Sequence, residues 1–562
     1  MTQDNLTKKQ LNKDGQSKWA IFLPAISSFY ATFIGAQRVN NDYVDPARFP
    51  QGLTDMEQLN WLNIQKSLFP YKWSLYSSGH ANLDLSKEDP TENMVRQRDP
   101  NTLILGDSGG FQIAKGLWDG EWRDPTCAAV KQKMQDCQTR KTEVRQVIGK
   151  DGKVKTITVN LVKEYQAKLD STQKKREVVL TWLDNISNYC MTLDIPTWVI
   201  NYPESVIATG ITNHQEAVDA TKYNNEYFMK HRKGIKNGGT KILNVLQGKN
   251  HIDADGWYNT MKGYCDPAKY PDTHFNGWAM GGQNMCDVHL ILRRLVALRY
   301  DGLLQEGVHD WMHFLGTSKL EWAVLLTVIQ NTVRKYVNPA FTISFDCASP
   351  FLATANGQVY YENIFEHDGR WNYRMESTTD DKKYANDNRL WKDGVIADKI
   401  HKIWTDSPVS DLWKMSDICI YKSGVRKATV DLEDFDPNND DHYEVLPDRN
   451  KNDKIGRTSW DSFSYALLMA HNVWMHLTAV QEANQRYEKG EYPAMLQRSG
   501  GDYVKFGDVV DAIFAAPTRA DSELIIEHYT DYWTEIVGTG KGNKGKKAVN
   551  ALAQFDTLFS FN

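Results

Sequence analysis

The chain has 562 residues, with 66 lysines and arginines against 71 aspartates and glutamates and a formal net charge of −5. That length allows two or more domains, one of them a large barrel. The slight acidity excludes a protein that coats polyanions indiscriminately, so any nucleic-acid contact must come from local patches. Hydrophobic residues make up 41% of the chain and charged residues 24%, which excludes collagen-like, mucin-like and wholly disordered classes.

Residues 1–18 are polar and charged and read as a flexible tail, neither a signal peptide nor an anchor. No apolar run approaches the roughly 20 residues that cross a bilayer, so a soluble protein without a membrane partner is expected. Cys127, Cys137, Cys190, Cys265, Cys286, Cys347 and Cys419 are scattered and form no CxxC pair. Such usage points to reduced thiols in the cytoplasm (of the host, if the protein is viral) and not to a disulfide framework.

From Trp19 onward a unit of short apolar strand, polar tip and amphipathic helix repeats. Strands are expected at 19–27, 73–80, 101–107, 188–194, 240–247, 276–282, 311–317 and 341–346, with helical spacing clearest over 286–300 and 319–336. Alternation of this kind implies a parallel sheet of α/β class. Eight units would close a TIM (β/α)8 barrel, whose chemistry sits where strands end; an open doubly wound sheet shows the same alternation and remains the alternative. The strand tips carry Ser77–His80, Asp107, Asp194, Gln247, Gly281–Gly282, Gly316–Thr317 and Asp346, the carboxylates, amide and glycines that a barrel site needs.

Two regions depart from the repeat. The span 115–187, after the third strand, is too long for one loop. It includes a hairpin signal turning at Asp151-Gly152, and it is basic from Lys131 to Arg176. A solvated helical face and a nucleic-acid arm both fit that charge. Past about residue 360 the alternation stops, and 361–562 reads as a mainly helical region, with a clear helix at 458–489 and a lysine-bearing GTGKGNKGKK segment at 538–547. Lysines there could reach phosphates, and an ordinary solvated loop fits as well. The organisation expected is therefore a tail (1–18), a barrel (19–360, with the basic insertion) and a helical C-terminal region able to meet nucleic acid.

The most specific string is Asp107-Ser108-Gly109-Gly110-Phe111-Gln112 after the strand LIL. Glycines let backbone approach a ligand closely, and a carboxylate can act as acid or base; alone, such a turn is as readily structural. The string resembles the signature of the tRNA-guanine transglycosylase (queuine tRNA-ribosyltransferase) family. The similarity continues in family order through LDIP (193–196), LQG (246–248), GWAMGG (277–282), FLGT (314–317), SFDCASP (344–350) and ANGQVY (355–360), which resemble the family's fourth-strand carboxylate, VQGG, G-x-A-x-GG, LMGVG, FDCVLPTR and RNGQ segments.

The resemblance implies an enzyme, a pentosyltransferase, with Asp346 as nucleophile and Asp107 as general acid/base. A carboxylate attacking the anomeric carbon opposite the base gives a covalent glycosyl-enzyme, and a second attack by the incoming base retains configuration. A helix N-cap is the plain structural role for Asp346. Asp194 and Gln247 would read the guanine edge, Gly281 and Gly282 would offer backbone to O6, and Ser108 would assist. Phe111 and Leu315 would sandwich the ring, or simply pack in the core. Gln283 and Asn284 are placed after the loop to face a 7-substituent, and Cys347 reads as a small buried filler.

The sequence also departs from the family. The C-x-C-x-x-C zinc motif with its later histidine is missing: beyond Cys347 the only cysteine is Cys419, and His442, His471 and His476 have no ligand-pair company. No zinc by the family's route, and no other cofactor, is expected. The acidic run from Asp436 to Asp441 lacks the glycine and glutamate of a calcium loop, with Pro447 at the final position. ASPFL at 348–352 also lacks the family's tRNA-binding arginine. These losses, with the basic insertion and the C-terminal extension, point to the DNA-modifying relatives of phages and bacterial genomic islands, which insert 7-deazaguanines and protect DNA from restriction. The partners implied are single- or double-stranded DNA and a free base such as 7-cyano-7-deazaguanine, with a homodimer left open. A zinc-free tRNA enzyme is the nearest alternative. A catalytically silent nucleic-acid-binding subunit is disfavoured, because Asp107 and Asp346 are both present.

Overall fold

A computed structural model describes residues 17–39, 48–87, 89, 92–148, 154–248, 250–281, 287–419, 426–428, 443–445, 460–498 and 503–539. Eight short strands form the centre: β1 (Ile21–Pro24), β2 (Trp73–Ser77), β3 (Leu103–Asp107), β4 (Tyr189–Met191), β5 (Lys241–Leu246), β6 (Gly277–Met280), β7 (Trp311–Phe314) and β8 (Thr342–Cys347). They are buried almost throughout, as near-continuous apolar runs in a parallel sheet must be.

Every neighbouring pair is parallel, in the order β1-β8-β7-β6-β5-β4-β3-β2. A parallel bridge between Ala25 and Leu75, with the Ile26 N–H donating to the Leu75 carbonyl at 3.0 Å, brings β2 back to β1. The result is a nearly closed, barrel-like sheet, consistent with the TIM-like expectation. A doubly wound sheet reverses its strand order at a switch point; this order never reverses, so the open-sheet alternative is excluded.

Strand pleating divides the core in two. Inward residues, among them Ile21, Leu23, Leu105, Met191, Leu243, Val245, Ala279 and Trp311, form one apolar cluster. Outward residues such as Phe22, Ile104, Ile242, Trp278 and Phe345 join the surrounding helices in a much larger one. The helices Val288–Tyr300 and Leu320–Tyr336 lie in the expected segments, the first capped by the Asp287 carboxylate, which accepts from the Leu290 N–H at 3.2 Å.

The long span after β3 contains the helix Ala128–Arg140, an antiparallel hairpin of Thr142–Ile148 with Val154–Asn160, and the helix Leu161–Ile186. The expected Asp151-Gly152 turn lies outside the described residues. The C-terminal half of Leu161–Ile186 buries Val179, Leu180, Trp182 and Leu183 and packs on β3. One helix therefore serves both the insertion and the barrel wall.

The region after 360 is helical, but it opens with an antiparallel hairpin, Gln358–Phe365 with Trp371–Ser377, which the helical reading did not anticipate. Its 27-residue helix Ser462–Glu488 is buried over most of its length. It packs against the helices Ser28–Val39, Leu320–Tyr336 and Ser349–Ala355 and against β1, as part of the layer around the sheet. No helix among the described residues is long and apolar enough to cross a membrane. The lysines of 541–547 and the acidic run 436–441 lie outside the described residues.

Candidate active site

The C-terminal ends of the strands converge on a group of carboxylates. In β7 and β8 Ser344 pairs in register with His313, and alternation places Trp311, His313, Ser344 and Asp346 on the inner face. The Asp346 Oδ1 accepts from His313 Nε2 at 3.1 Å and from the Gly316 N–H at 2.9 Å. His313 Nδ1 lies 2.8 Å from Ser344 Oγ, which also accepts from Trp311 Nε1 at 2.8 Å.

An ionised carboxylate only accepts, so His313 Nε2 is the donor to Asp346 in that state, and Ser344 links the other side of the ring to Trp311. His313 and Ser344 are fully buried and Asp346 is 8% exposed. Two N–H donors orient Asp346 through one oxygen and leave Oδ2 with no hydrogen-bond partner among the described residues.

Asp107 closes β3. Its Oδ2 accepts from the Ser77 hydroxyl at 2.6 Å, and the Gly109 N–H lies 3.4 Å from Oδ1. Burial pushes the Asp107 carboxyl above the usual carboxylate range and the charge of Asp346 adds to this; the bonds from Ser77 and Gly109 oppose it. Asp194, just past β4, accepts from Gln247 Nε2 at 2.8 Å through Oδ2. Burial, then the charge of Asp107, raise its pKa to about 7 against the opposing Gln247 bond. Asp107 therefore feels the charge of Asp346, and Asp194 that of Asp107.

Close approaches hold these tips together. A Cβ on Gly110 would stand 2.8 Å from the Asp194 carbonyl oxygen, and one on Gly281 would stand 2.7 Å from Gln247 Nε2. Gly109 has a φ of +87° and carries the rim of the Trp118 ring where a Cβ would be, so both its conformation and its contact require glycine. The buried Gln247 Oε1 has no hydrogen-bond partner among the described residues.

Asp107, Asp194, Gln247, Gly281 and Asp346 thus come together as expected positions on neighbouring tips. Ser108 does not face the same space: its hydroxyl donates to the Thr192 carbonyl at 2.8 Å and is buried, tying the Gly-Gly loop to the end of β4. Phe111 packs beside Trp198 with ring centroids 5.8 Å apart, and Leu315 rests half-buried on the inner core. Gly282, Gln283 and Asn284 lie outside the described residues. Ser77 and Gly316 were noted at strand tips and Ser344 within SFDCASP, but without a role, and His313 was not singled out; a histidine two residues after an inward Trp, in an otherwise apolar strand, was the available signal.

Of the histidines considered for a rebuilt zinc site, His471 and His476 are engaged within the protein. Both ring nitrogens of His471 are engaged, by Ser407 Oγ at 2.9 Å and the Tyr360 carbonyl at 2.8 Å, while His476 Nε2 lies 2.8 Å from the Tyr373 hydroxyl. The Cys419 thiol points to the Thr379 carbonyl at 3.3 Å, and His442 lies outside the described residues. Among the described residues no group of three or more His, Cys, Asp and Glu side chains is arranged to hold a metal. Compared with known proteins, the chain matches no family model and no curated protein.

Taken as chemistry, an oriented carboxylate with one oxygen unpartnered among the described residues stands with a second carboxyl whose pKa is raised by burial. Beside them lie a buried carboxyl–amide pair and close-packed backbone. Such a set can attack an electrophilic carbon, deliver a proton to a leaving group and bind a flat polar ring by its edge.

Proposed function

We propose that the chain is a DNA-guanine transglycosylase, built on a TIM (β/α)8 barrel with a basic insertion after the third strand, that exchanges guanine in DNA for a 7-deazaguanine base. The observation that carries this reading is Asp346, held by His313 and Gly316 through Oδ1 with Oδ2 unpartnered among the described residues, in the same cluster as the half-buried Asp107. The resemblance of DSGGFQ, LDIP, LQG, GWAMGG and SFDCASP to the transglycosylase family supports it.

Asp346 Oδ2 attacks C1′ of the target nucleotide, and the C1′–N9 bond breaks with its electron pair leaving on guanine. Asp107, protonated, gives that base its proton and becomes the carboxylate. The incoming 7-deazaguanine then loses its N9 proton to Asp107, and its N9 attacks C1′ and displaces Asp346. Two inversions retain the configuration. Ionised Asp194 accepts from the N1–H and 2-amino group of guanine, a donor pair that adenine lacks, and the free Gln247 Oε1 adds an acceptor at that edge.

DNA is preferred over tRNA because the family's zinc cysteines and its arginine at 348–352 are missing and a basic insertion is present. The target nucleotide leaves the stack to reach the cluster, at a cost of a few kcal/mol. A 7-deazaguanine installed this way shields DNA from restriction. Incubation with radiolabelled guanine and either duplex DNA or tRNA tests the reading. Label is expected in DNA; label in tRNA alone reassigns the polymer, and label in neither overturns the exchange.

A further inference from the structure

Beside the candidate site lies a cleft of about 630 Å³, walled on one side by the loop after β2 and on the other by the helix Leu161–Ile186 of the basic insertion. Both walls are tied to the site. Ser78 follows the serine that bonds Asp107, and its own N–H donates to the Asp107 carbonyl at 2.9 Å. Trp118 sets the rim of its ring against Gly109, in the loop that follows Asp107.

The helix contributes Lys174 and Lys175. Lys175 is half-buried with its Nζ 4.8 Å from the centre of the Trp118 ring, a cation–π contact that fixes it. It has no carboxylate partner among the described residues, and burial pulls its pKa down. Among the described residues Lys174 is held by Glu177 at 2.9 Å, an exposed i,i+3 pair that a stronger anion displaces readily. Among the described residues the carboxylate on the lining is Asp84, occupied by Lys87 at 3.2 Å and by Ser86. A cation with no counter-ion among the described residues and a second that is loosely held thus face one space, whose lining residues Ser78 and Trp118 touch the Asp107 backbone and Gly109.

We infer that this cleft holds a polynucleotide strand by the phosphodiester next to the exchanged nucleotide, with Lys175 as the principal phosphate contact, Lys174 as the second and Trp118 as the residue that positions Lys175. Binding of the strand stands on the cleft itself; that the strand carries the exchanged guanine rests on the transglycosylase reading. The basic insertion, on this inference, acts through one turn of its second helix and not as a diffuse arm.

The test is fluorescence anisotropy of the full chain with a short fluorescein-labelled single-stranded oligodeoxynucleotide containing one guanine, over a salt series. Lys175→Ala is expected to raise Kd several-fold and to lower the slope of log Kd against log salt by about 0.7, the loss of one phosphate contact on a single strand. Lys174→Ala should do less, and Lys175→Arg should restore most of the binding. Lys131→Ala, on the exposed face of the preceding helix, should change neither quantity. Wild-type Kd and slope in Lys175→Ala, equal weakening by Lys131→Ala, or no binding by the wild type at low salt overturns the inference. Labelled-guanine exchange on the same preparations keeps the two readings apart. Weakened binding with no exchange even in the wild type leaves the cleft standing and removes the transglycosylase; exchange with unchanged binding does the reverse.

Discussion

The two faces of β8 show how one short string can serve reactivity and structure at once. On the inner face Ser344 and Asp346 meet His313, and the histidine ends on a carboxylate whose other oxygen is free. On the outer face the next residue, Cys347, meets His476 of the long C-terminal helix, its Sγ 3.8 Å from Nε2; that ring also meets the Tyr373 hydroxyl and stacks on Phe22 at 4.2 Å. Burial alone pushes His476 down to about 3. The two histidines are equally buried; only one has a carboxylate. A polar network that ends on a carboxylate with one oxygen unpartnered can act on a ligand, whereas one closed by a phenol, a thiol and aromatic rings holds two layers together.

Breaking the inner face should have the largest effect. Asp346→Asn removes the proposed attacking oxygen and is expected to lower guanine exchange by roughly 10⁴-fold or more with unchanged thermal stability, the scale seen when a nucleophile is lost. Undiminished exchange in that variant, followed with labelled guanine, would end the nucleophile assignment. His313→Ala leaves the carboxylate present but held by Gly316 alone; misplacement by about 1 Å costs about 10²-fold, read as a fall in kcat with little change in KM.

The proposed base-reading pair sharpens the comparison through pH. Asp194 has its pKa raised to about 7, so in the proposed role it becomes a double acceptor for guanine only as pH rises through that value. Guanine is expected to bind more tightly at pH 8 than at pH 6, and Asp194→Asn should flatten that dependence in a titration of guanine affinity. Stability runs the other way. A carboxyl raised in the folded state contributes stability that is complete below its unfolded pKa, near 3.8, and is lost as pH rises to about 7. Thermal melts of wild type against Asp194→Asn should show that loss in the wild type alone. Gly281→Ala places a Cβ against Gln247 Nε2 and should raise the KM for guanine several-fold without changing kcat.

The outer face should respond only in stability. Tyr373→Phe removes the one strong hydrogen bond of His476 and is expected to cost about 1 kcal/mol in denaturant unfolding, with exchange unchanged within error. A loss of exchange matching that of His313→Ala would mean that the outer network also positions Asp346.

Much of this arrangement was legible in the chain. Each strand tip carries its polar residue directly after an apolar run, so Asp107, Asp194, Gln247, Gly281 and Asp346 could be placed at the ends of β3, β4, β5, β6 and β8 before any pairing was known. The direction of the Ser108 hydroxyl was not legible, because a hydroxyl adjacent to a site residue can point to either side of the loop, and the proximity of the Thr192 carbonyl selects one. The hairpin after residue 357 was read as part of a helical region because β-branched and aromatic residues in QVYYENIF and WNYRMES pair with each other and with nothing nearer in sequence.

The sequence by itself determined the order of strands, the carboxylates and glycines at their tips and the basic character of the span after β3, because each is a property of a few consecutive residues. The tertiary structure alone decided that His313 holds Asp346, that Trp118 joins Gly109 to Lys175 and that the helix Ser462–Glu488 packs on β1. Those contacts join residues 33, 9, 57 and more than 400 positions apart. In the sheet they depend on register, where a slip of one residue would turn His313 outward. Between layers they depend on which buried surfaces find each other, and no local pattern records that choice.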